Sequence, residues 1–105
     1  MVRVGAGVTA PYRLDTGAVR SILPRPFLLE LQMKEAVSMR YLQKPVYFEL
    51  GDGRKVAVRE IAHLTVELET AEGPVELKDV AFRILPQGSE VLIGDPEIKR
   101  LNYPT

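Results

Sequence analysis

The chain contains no cysteine. This excludes a disulfide framework, a zinc–thiolate site and a cysteine nucleophile. It also has no excess of charge of either sign, because lysine plus arginine and aspartate plus glutamate number 14 each. Nucleic acid and anionic membrane surfaces are therefore not indicated as partners. No apolar run approaches the roughly 18 residues of a membrane-spanning helix.

Histidine is almost as scarce, since His63 is the only one. It falls on the polar side of a predicted strand, where a solvated histidine is the simplest interpretation. A Ser-His-Asp site and a histidine-rich metal site are therefore not supported, and we expect no metal and no cofactor. The Gly-x-Gly near the N-terminus is followed by no helical pattern, so it favours a turn over a phosphate loop.

The composition fits one folded domain over residues 1–105. Hydrophobic residues make up 46% of the chain, and no segment is of low complexity. A chain of this length buries a modest core. Composition does not fix the cellular compartment, and a segment of a longer polyprotein remains compatible with it.

The first third of the chain predicts two short strands and one helix. Residues 1–7 read as a strand and a turn, and residues 8–15 as a second strand in which Pro11 marks an edge or a bulge. Residues 25–37 have helical apolar spacing, with Pro26 allowed in the first turn. The polar stretch that follows, residues 38–45, is interpreted as a connection.

A β-hairpin is predicted next. Residues 46–50 and 55–61 are β-rich and flank an Asp-Gly turn signal. The second arm continues into an alternating segment that places one apolar set on a single face. That set is Ala62, Leu64, Val66 and Leu68.

The last third predicts two more strands and a helix. The alternation in residues 75–85 slips at Lys78-Asp79, which indicates a bulge or two buried faces. Residues 91–94 form an apolar run typical of a buried strand, and Asp95 with Pro96 is typical of a helix start, Asp95 being the N-cap. A mostly β chain with these elements favours a closed or semi-closed barrel over a sandwich.

The motif with most chemical interest is Asp15-Thr16-Gly17-Ala18, at the end of an apolar strand. Alone, it fits a tight turn in which the aspartate side chain caps the backbone and the glycine supplies a positive φ. It equally fits a catalytic loop. The sequence around the motif distinguishes the two interpretations.

The stretch "YRLDTGAVRSILP" resembles the active-site segment of the retropepsins, the aspartic proteases of retroviruses and of LTR retrotransposons. "KPVYFELGDGRKVAVREI" lies where that family has its flap hairpin, and "VLIGDPEIKRLN" resembles its second signature. The three blocks occur in the family's order. The extra length around residues 27–44 is similar to gypsy-type elements.

The resemblance implies an acid-protease barrel that works as a symmetric homodimer. Aspartic proteolysis needs two carboxyl groups about 3 Å apart that share one proton, one acting as base on water and the other polarising the scissile carbonyl. The chain has one Asp-Thr-Gly. The second carboxyl group would therefore be Asp15 of another copy, brought in by a twofold axis.

The resemblance also assigns supporting roles around Asp15. Thr16 would hydrogen-bond across the dimer beneath the two carboxyl groups. Gly17 would let the backbone approach the dyad and the substrate, and Ala18 would suit tight packing. Ile93 and Gly94 would pack beneath the Asp15 loop.

The predicted flap would fold over an extended peptide and donate backbone hydrogen bonds to it. Val56, Val58, Val91 and Ile93 are candidate pocket walls or core residues. Two arrangements remain open for the side chains of Asp52 and Arg54: an ion pair across the dimer, or exposure to solvent. The flap and substrate-binding residues are Leu50, Gly51, Asp52, Gly53, Arg54 and Val56.

The first functional hypothesis is an aspartic endopeptidase that cuts extended peptides between bulky apolar residues at acidic to mildly acidic pH. Polyprotein processing in a retroelement, in the cytoplasm or in a virus-like particle, would fit it. The alternative is a non-catalytic or highly specialised retropepsin-like dimerisation or peptide-binding module, similar to the domain of ubiquitin-shuttle proteins. A monomeric barrel in which Asp15 is only a turn residue ranks third.

Overall fold

Eight strands and two helices make up the computed structural model, which describes residues 1–49 and 52–101. In chain order they are β1 (Val2–Val4), β2 (Val8–Ala10), β3 (Tyr12–Leu14), β4 (Ser21–Pro24), α1 (Arg25–Gln32), β5 (Ser38–Glu49), β6 (Lys55–Thr70), β7 (Gly73–Leu85), β8 (Val91–Ile93) and α2 (Asp95–Leu101). The mostly β composition, the mid-chain helix and the short second helix agree with the sequence-based prediction.

The strands form one sheet that curls into a nearly closed barrel. Its order is β2-β1-β6-β7-β4-β8-β3, and β5 pairs with β6 outside this path. The two end strands, β2 and β3, follow each other in the chain and are separated only by Pro11. One residue therefore joins the two ends of the strand order. The single strand predicted over residues 8–15 is wrong, because the chain changes partner at this proline.

The interior of the barrel is apolar. The predicted buried face of β6 is confirmed, since all four of its apolar residues are at most 6% exposed. They join side chains from most of the other elements, including both helices. The core comprises Val2, Val4, Val8, Ala10, Leu23, Leu28, Leu31, Ala62, Leu64, Val66, Leu68, Leu77, Val80, Phe82, Ile84, Val91, Ile93 and Ile98.

A bulge interrupts the pairing of β6 with β7, as one of the two options from the sequence predicted. The register of β7 shifts between Leu77 and Val80. Asp79 lies in the shift and has a φ of 52°, in the left-handed region that few non-glycine residues occupy. One extra residue at this point keeps apolar side chains on the core side both before and after it.

The connection predicted over residues 38–45 is wrong, because these residues belong to β5. Ser38 to Tyr41 pair with β6, and the register shifts before pairing resumes at Val46. β5 has β6 as its partner in the described sheet, so its other edge tolerates polar side chains and Pro45, which has no N–H to donate. That edge position explains why the segment does not look like a strand.

The helices are shorter than, or displaced from, their predicted limits. α1 ends at Gln32 rather than near residue 37, because Leu28 and Leu31 supply its buried face and the next turn offers only Glu35 at that spacing. Gly94 O accepts bonds from the amides of Glu97 and Ile98, so Gly94, not Asp95, occupies the N-cap position. Neither helix has the length and hydropathy that crossing a bilayer requires.

Candidate functional site

Asp15 lies where β3 ends beside β8. These two strands are parallel, with Leu14 opposite Ile93. The amide of Asp15 donates to Ile93 O at 2.9 Å, which extends the ladder by one residue. The position of Asp15 is therefore set by the sheet itself rather than by a free loop.

The residues after Asp15 form a tight turn around its carboxylate. The amide of Gly17 donates to Asp15 Oδ1 at 3.0 Å, and the amide of Ala18 donates to Asp15 O at 3.1 Å. The other carboxylate oxygen, Oδ2, receives no hydrogen bond from the part of the chain described. The turn predicted for an ordinary aspartate is thus present, and it also orients the carboxylate with one oxygen unengaged.

The loop after Asp15 crosses directly over Gly94. β8 lies between β3 and β4 in the sheet, so the connection from β3 to β4 must pass the end of β8. A Cβ on Gly94 would lie 2.7 Å from the backbone of Arg20 and 3.1 Å from Ala18 O. Ala18 O in turn accepts from the amide of Asp95 at 2.8 Å. The backbone of Gly94 thus lies so close beneath the loop that no space remains for a side chain at this position.

Ser21 connects the loop to β8 and α2. Its side chain is 1% exposed, and Ser21 Oγ donates to Glu97 Oε2 at 2.9 Å while accepting from the amide of Gly94 at 2.9 Å. Neither Ser21 nor Glu97 is among the site residues expected from the sequence. The available signal was one hydroxyl within the apolar run "SILP", because a buried hydroxyl needs a partner.

Asp15 lines a largely apolar cleft with a volume of about 500 Å³. One wall comes from Ile22, Leu85 and Leu92, and Phe48 of β5 contributes a second side. Ile22 and Leu85 also form a small apolar cluster with Val58, which is separate from the barrel core. The full lining is Arg13, Asp15, Gly17, Ala18, Val19, Ile22, Phe48, Glu49, Leu85 and Leu92.

Two of the candidate pocket walls belong to the core instead. Val91 and Ile93 are fully buried in the barrel interior, and Leu92 between them faces the cleft. Alternation along β8 makes this necessary, because neighbouring strand residues point to opposite sides. Val56 and Val58 both belong to the small apolar cluster beside the cleft, and neither lines the cleft itself.

The rim of the cleft combines an exposed apolar side chain with an ion pair. Val19 lines the cleft and is 68% exposed, whereas Leu14 is 46% exposed and lines a separate cavity with Val75 and Ile98. Arg13 Nε lies 3.2 Å from Glu90 Oε1 across β3 and the turn before β8. Thr16 is exposed and makes no side-chain hydrogen bond with the described residues of this chain. Apolar and polar groups around Asp15 are therefore left facing outward.

The tip of the β5–β6 hairpin holds an ion pair within the chain. Arg54 Nε lies 2.6 Å from Asp52 Oδ2, and the amide of Arg54 donates to Asp52 Oδ1 at 3.0 Å. Both side chains are exposed, and Gly53 between them has a φ of 86° that favours glycine. The predicted flap residues Leu50 and Gly51 lie outside the described residues.

His63 lies far from Asp15 in the sheet order, on β6. Its Nδ1 is 3.4 Å from Asp79 Oδ1 at the β7 bulge, and it lines another cavity. Within residues 1–49 and 52–101, no group of three or more His, Asp or Glu side chains is arranged to hold a metal ion. The candidate chemistry therefore centres on the Asp15 carboxylate.

Comparison of the chain with protein-family models, with curated proteins and with solved structures finds no match. Function is therefore inferred from the residues and geometry of the chain itself.

Gly94→Ala should lower the free energy of unfolding by about 1–3 kcal/mol, because the added methyl must displace the backbone of the Asp15 loop. Gly17→Ala is the matched control. Its Cβ would meet only Asp15 Oδ1 at 3.4 Å, an ordinary contact, so we expect a change within about 0.5 kcal/mol. Urea unfolding at one protein concentration measures both, and equal losses would contradict the close approach seen here.

Ser21→Ala should also destabilise the fold, by about 1–3 kcal/mol, because it leaves the buried Gly94 amide without an acceptor. Ser38→Ala, at an exposed position of β5, serves as the control and should have little effect. Thermal and urea unfolding provide the comparison. A loss no larger than that of Ser38→Ala would show that the Ser21 bridge contributes nothing.

The hairpin tip should keep its ion pair at mildly acidic pH. Hydrogen bonds from the Arg54 backbone and side chain lower the pKa of Asp52 below its ordinary value. The stabilisation is therefore complete above the unfolded-state pKa and is lost only as the pH falls through the lowered folded-state pKa. NMR titration of the Asp52 carboxyl should give a midpoint that rises in Arg54→Ala, and an unchanged midpoint would refute the pair.

Proposed function

We propose that this chain is an aspartic endopeptidase of the retropepsin type, active as a symmetric homodimer whose dyad is Asp15 of the two copies. One observation carries the proposal. The Asp15 carboxylate, an apolar wall and the β5 arm of a long hairpin line one cleft. A carboxylate beside an apolar groove beneath a hairpin provides the parts that hydrolysis of an extended peptide needs.

The mechanism follows from two such carboxyl groups. Held about 3 Å apart they share one proton, because both cannot be ionised at that distance. The ionised one removes a proton from a water molecule, which attacks the scissile carbonyl, while the protonated one gives its proton to the carbonyl oxygen, so that a tetrahedral diol forms. The C–N bond then breaks as the dyad passes a proton to the leaving amine and takes one back from the diol. The Gly17 amide holds Asp15 Oδ1, which leaves Oδ2 to act on the water or the carbonyl.

The surroundings of Asp15 support a second copy at this surface. Leu14, which precedes Asp15 in the chain, and Val19, which lines its cleft, are both exposed. β3 is an end strand of the sheet order, so one of its edges has no strand partner among the described residues. Exposed apolar side chains next to the Asp15 carboxylate suit an isologous contact, in which each copy covers the other's patch and supplies the second Asp15.

The substrate class follows from the cleft. Ile22, Phe48, Leu85 and Leu92 favour bulky apolar side chains next to the scissile bond. Polyprotein processing in a retroelement, within the cytoplasm or a virus-like particle, is the role we propose for this specificity.

Asp15→Asn tests the proposal directly. The wild-type chain should sediment as a dimer and cleave peptides with a central apolar pair between pH 3 and 8, fastest on the acidic side. Asp15→Asn should remain folded and dimeric and lose cleavage by about a thousandfold or more, because the two amides that replace the dyad can neither share a proton nor accept one from water. Mass by ultracentrifugation and peptide cleavage by chromatography provide the readouts.

A stable dimer without cleavage would refute the enzyme and leave the peptide-binding or dimerisation module. A monomer without cleavage would refute both and leave Asp15 as a turn residue. Asp95→Asn is the matched control, because it makes the same chemical change at an aspartate that pairs with Lys99 on α2 at 3.1 Å, and it should retain cleavage.

A further inference from the structure

A second, positively charged pocket adjoins the cleft. It has a volume of about 190 Å³ and shares Val19 with the Asp15 cleft. Its lining is Val19, Arg20, Ser21, Ala81, Arg83, Pro96 and Glu97. We call it the arginine pocket, after Arg20 and Arg83.

Strand pairing brings a third arginine to the same face. Arg40 of β5 and Arg83 of β7 both lie opposite Ile61 of β6. Residues paired in register share a face, so Arg40 and Arg83 lie on one side of the sheet, about 10 Å apart at twice the strand spacing. On its other side Arg83 lies opposite Ile22, which lines the Asp15 cleft. The basic groups are therefore continuous with the substrate groove.

These arginines lack acidic partners in residues 1–49 and 52–101. No carboxylate oxygen in that part of the chain lies within 4 Å of a nitrogen of Arg20, Arg40 or Arg83. Glu97 is the acid in the pocket, and its Oε2 accepts from Ser21 Oγ. Glu60, next to Ile61 in β6, pairs with Arg25.

The lack of an acidic partner is unfavourable for Arg83. Its Nε is buried and has no hydrogen-bond partner among the described residues. Burial and the positive charges of Arg20 and Arg40 lower the pKa of Arg83. A buried donor without an acceptor is unfavourable, and like charges on one face add to the penalty. A carboxylate bound in the pocket would offset the repulsion among the three arginines, because guanidinium groups bind carboxylates through paired hydrogen bonds.

We infer that the arginine pocket is a substrate subsite that takes an acidic side chain of the peptide, beyond the apolar residues held at the Asp15 cleft. This inference rests on the proposed function and narrows its substrate class. Val19 lines both spaces, so a peptide that continues past it enters the arginine pocket. The preferred substrate therefore has apolar residues at the cleavage point and an aspartate or glutamate to one side.

A peptide-binding measurement tests the inference without requiring cleavage. The protein carries Asp15→Asn, and the probes are fluorescent decapeptides with a central Leu-Phe pair and one Glu moved through each flanking position, against Gln at the same position. At one position Glu should bind about tenfold more tightly than Gln, the size expected of a charge-assisted hydrogen bond. Fluorescence anisotropy gives the dissociation constants.

The arginine variants locate the effect. Arg83→Met should abolish the Glu preference, while Lys34→Gln, which removes one positive charge at an exposed position, should retain it. Arg20→Met provides a second, exposed variant in case Arg83→Met does not fold, and thermal unfolding checks both. A Glu preference that survives in Arg20→Met and in folded Arg83→Met would overturn the inference, as would the absence of any preference.

The two proposals fail separately. Glu-specific binding without cleavage by the wild-type chain would refute the protease and leave the acidic subsite standing. Cleavage of Glu and Gln peptides at equal rates would refute the subsite and leave the protease standing. If no peptide binds, the subsite is overturned and the cleavage assay alone decides the protease. Competition by inorganic phosphate as strong as that of the Glu peptide would also overturn the subsite, by showing a general anion site.

Discussion

The candidate site depends on one close backbone approach, the passage of the Asp15 loop over Gly94. β8 is inserted between β3 and β4, so the chain that leaves β3 must cross the end of β8 before it enters β4. The crossing occurs at a distance that leaves no space for a Cβ. Hydrogen bonds on both sides then fix it, from Asp15 to Ile93 and from Asp95 to Ala18. A rigid crossing of this kind suits a carboxylate that must hold a defined position.

The same crossing explains why a buried serine matters to the site. Ser21 follows the crossing directly, and its hydroxyl satisfies the Gly94 amide while donating to Glu97. The loop, the end of β8 and the start of α2 are therefore one hydrogen-bonded unit beneath Asp15. The Ser21 hydroxyl, the Glu97 carboxylate and the Gly94 and Asp95 amides are paired within this unit, so the Asp15 carboxylate is the acid that it presents to the cleft.

Two kinds of surface meet at the cleft, and under the proposed function they would let one groove select a peptide. Next to Asp15 the wall is apolar, built from Ile22, Leu85 and Leu92 with Phe48 from the hairpin. Past Val19 the lining becomes basic. Apolar burial provides affinity without direction, whereas an ion pair with an arginine fixes the register of a bound chain.

Much of the fold could be predicted from local pattern. Period-two alternation identified the buried face of β6, and a slip in the alternation at Lys78-Asp79 located the β7 bulge. Both could be predicted because the alternation of core-facing side chains is visible in the sequence of a strand even when its pairing partners are unknown. The pattern failed at residues 38–45, where an edge strand is free to be polar. It also failed at Pro11, where one proline separates strands at opposite ends of the sheet order.

For the site, the sequence by itself determined the chemistry: an aspartate at a strand end, a turn made by Thr16-Gly17, and a glycine after the last apolar strand. Only the tertiary structure decided which groups share a space. It turned Leu92 rather than Val91 or Ile93 toward the cleft, brought Phe48 to face Asp15, and gathered Arg20, Arg40 and Arg83 from three separate segments. The physical reason is that strand pairing between distant segments, not spacing along the chain, sets which side chains face one another.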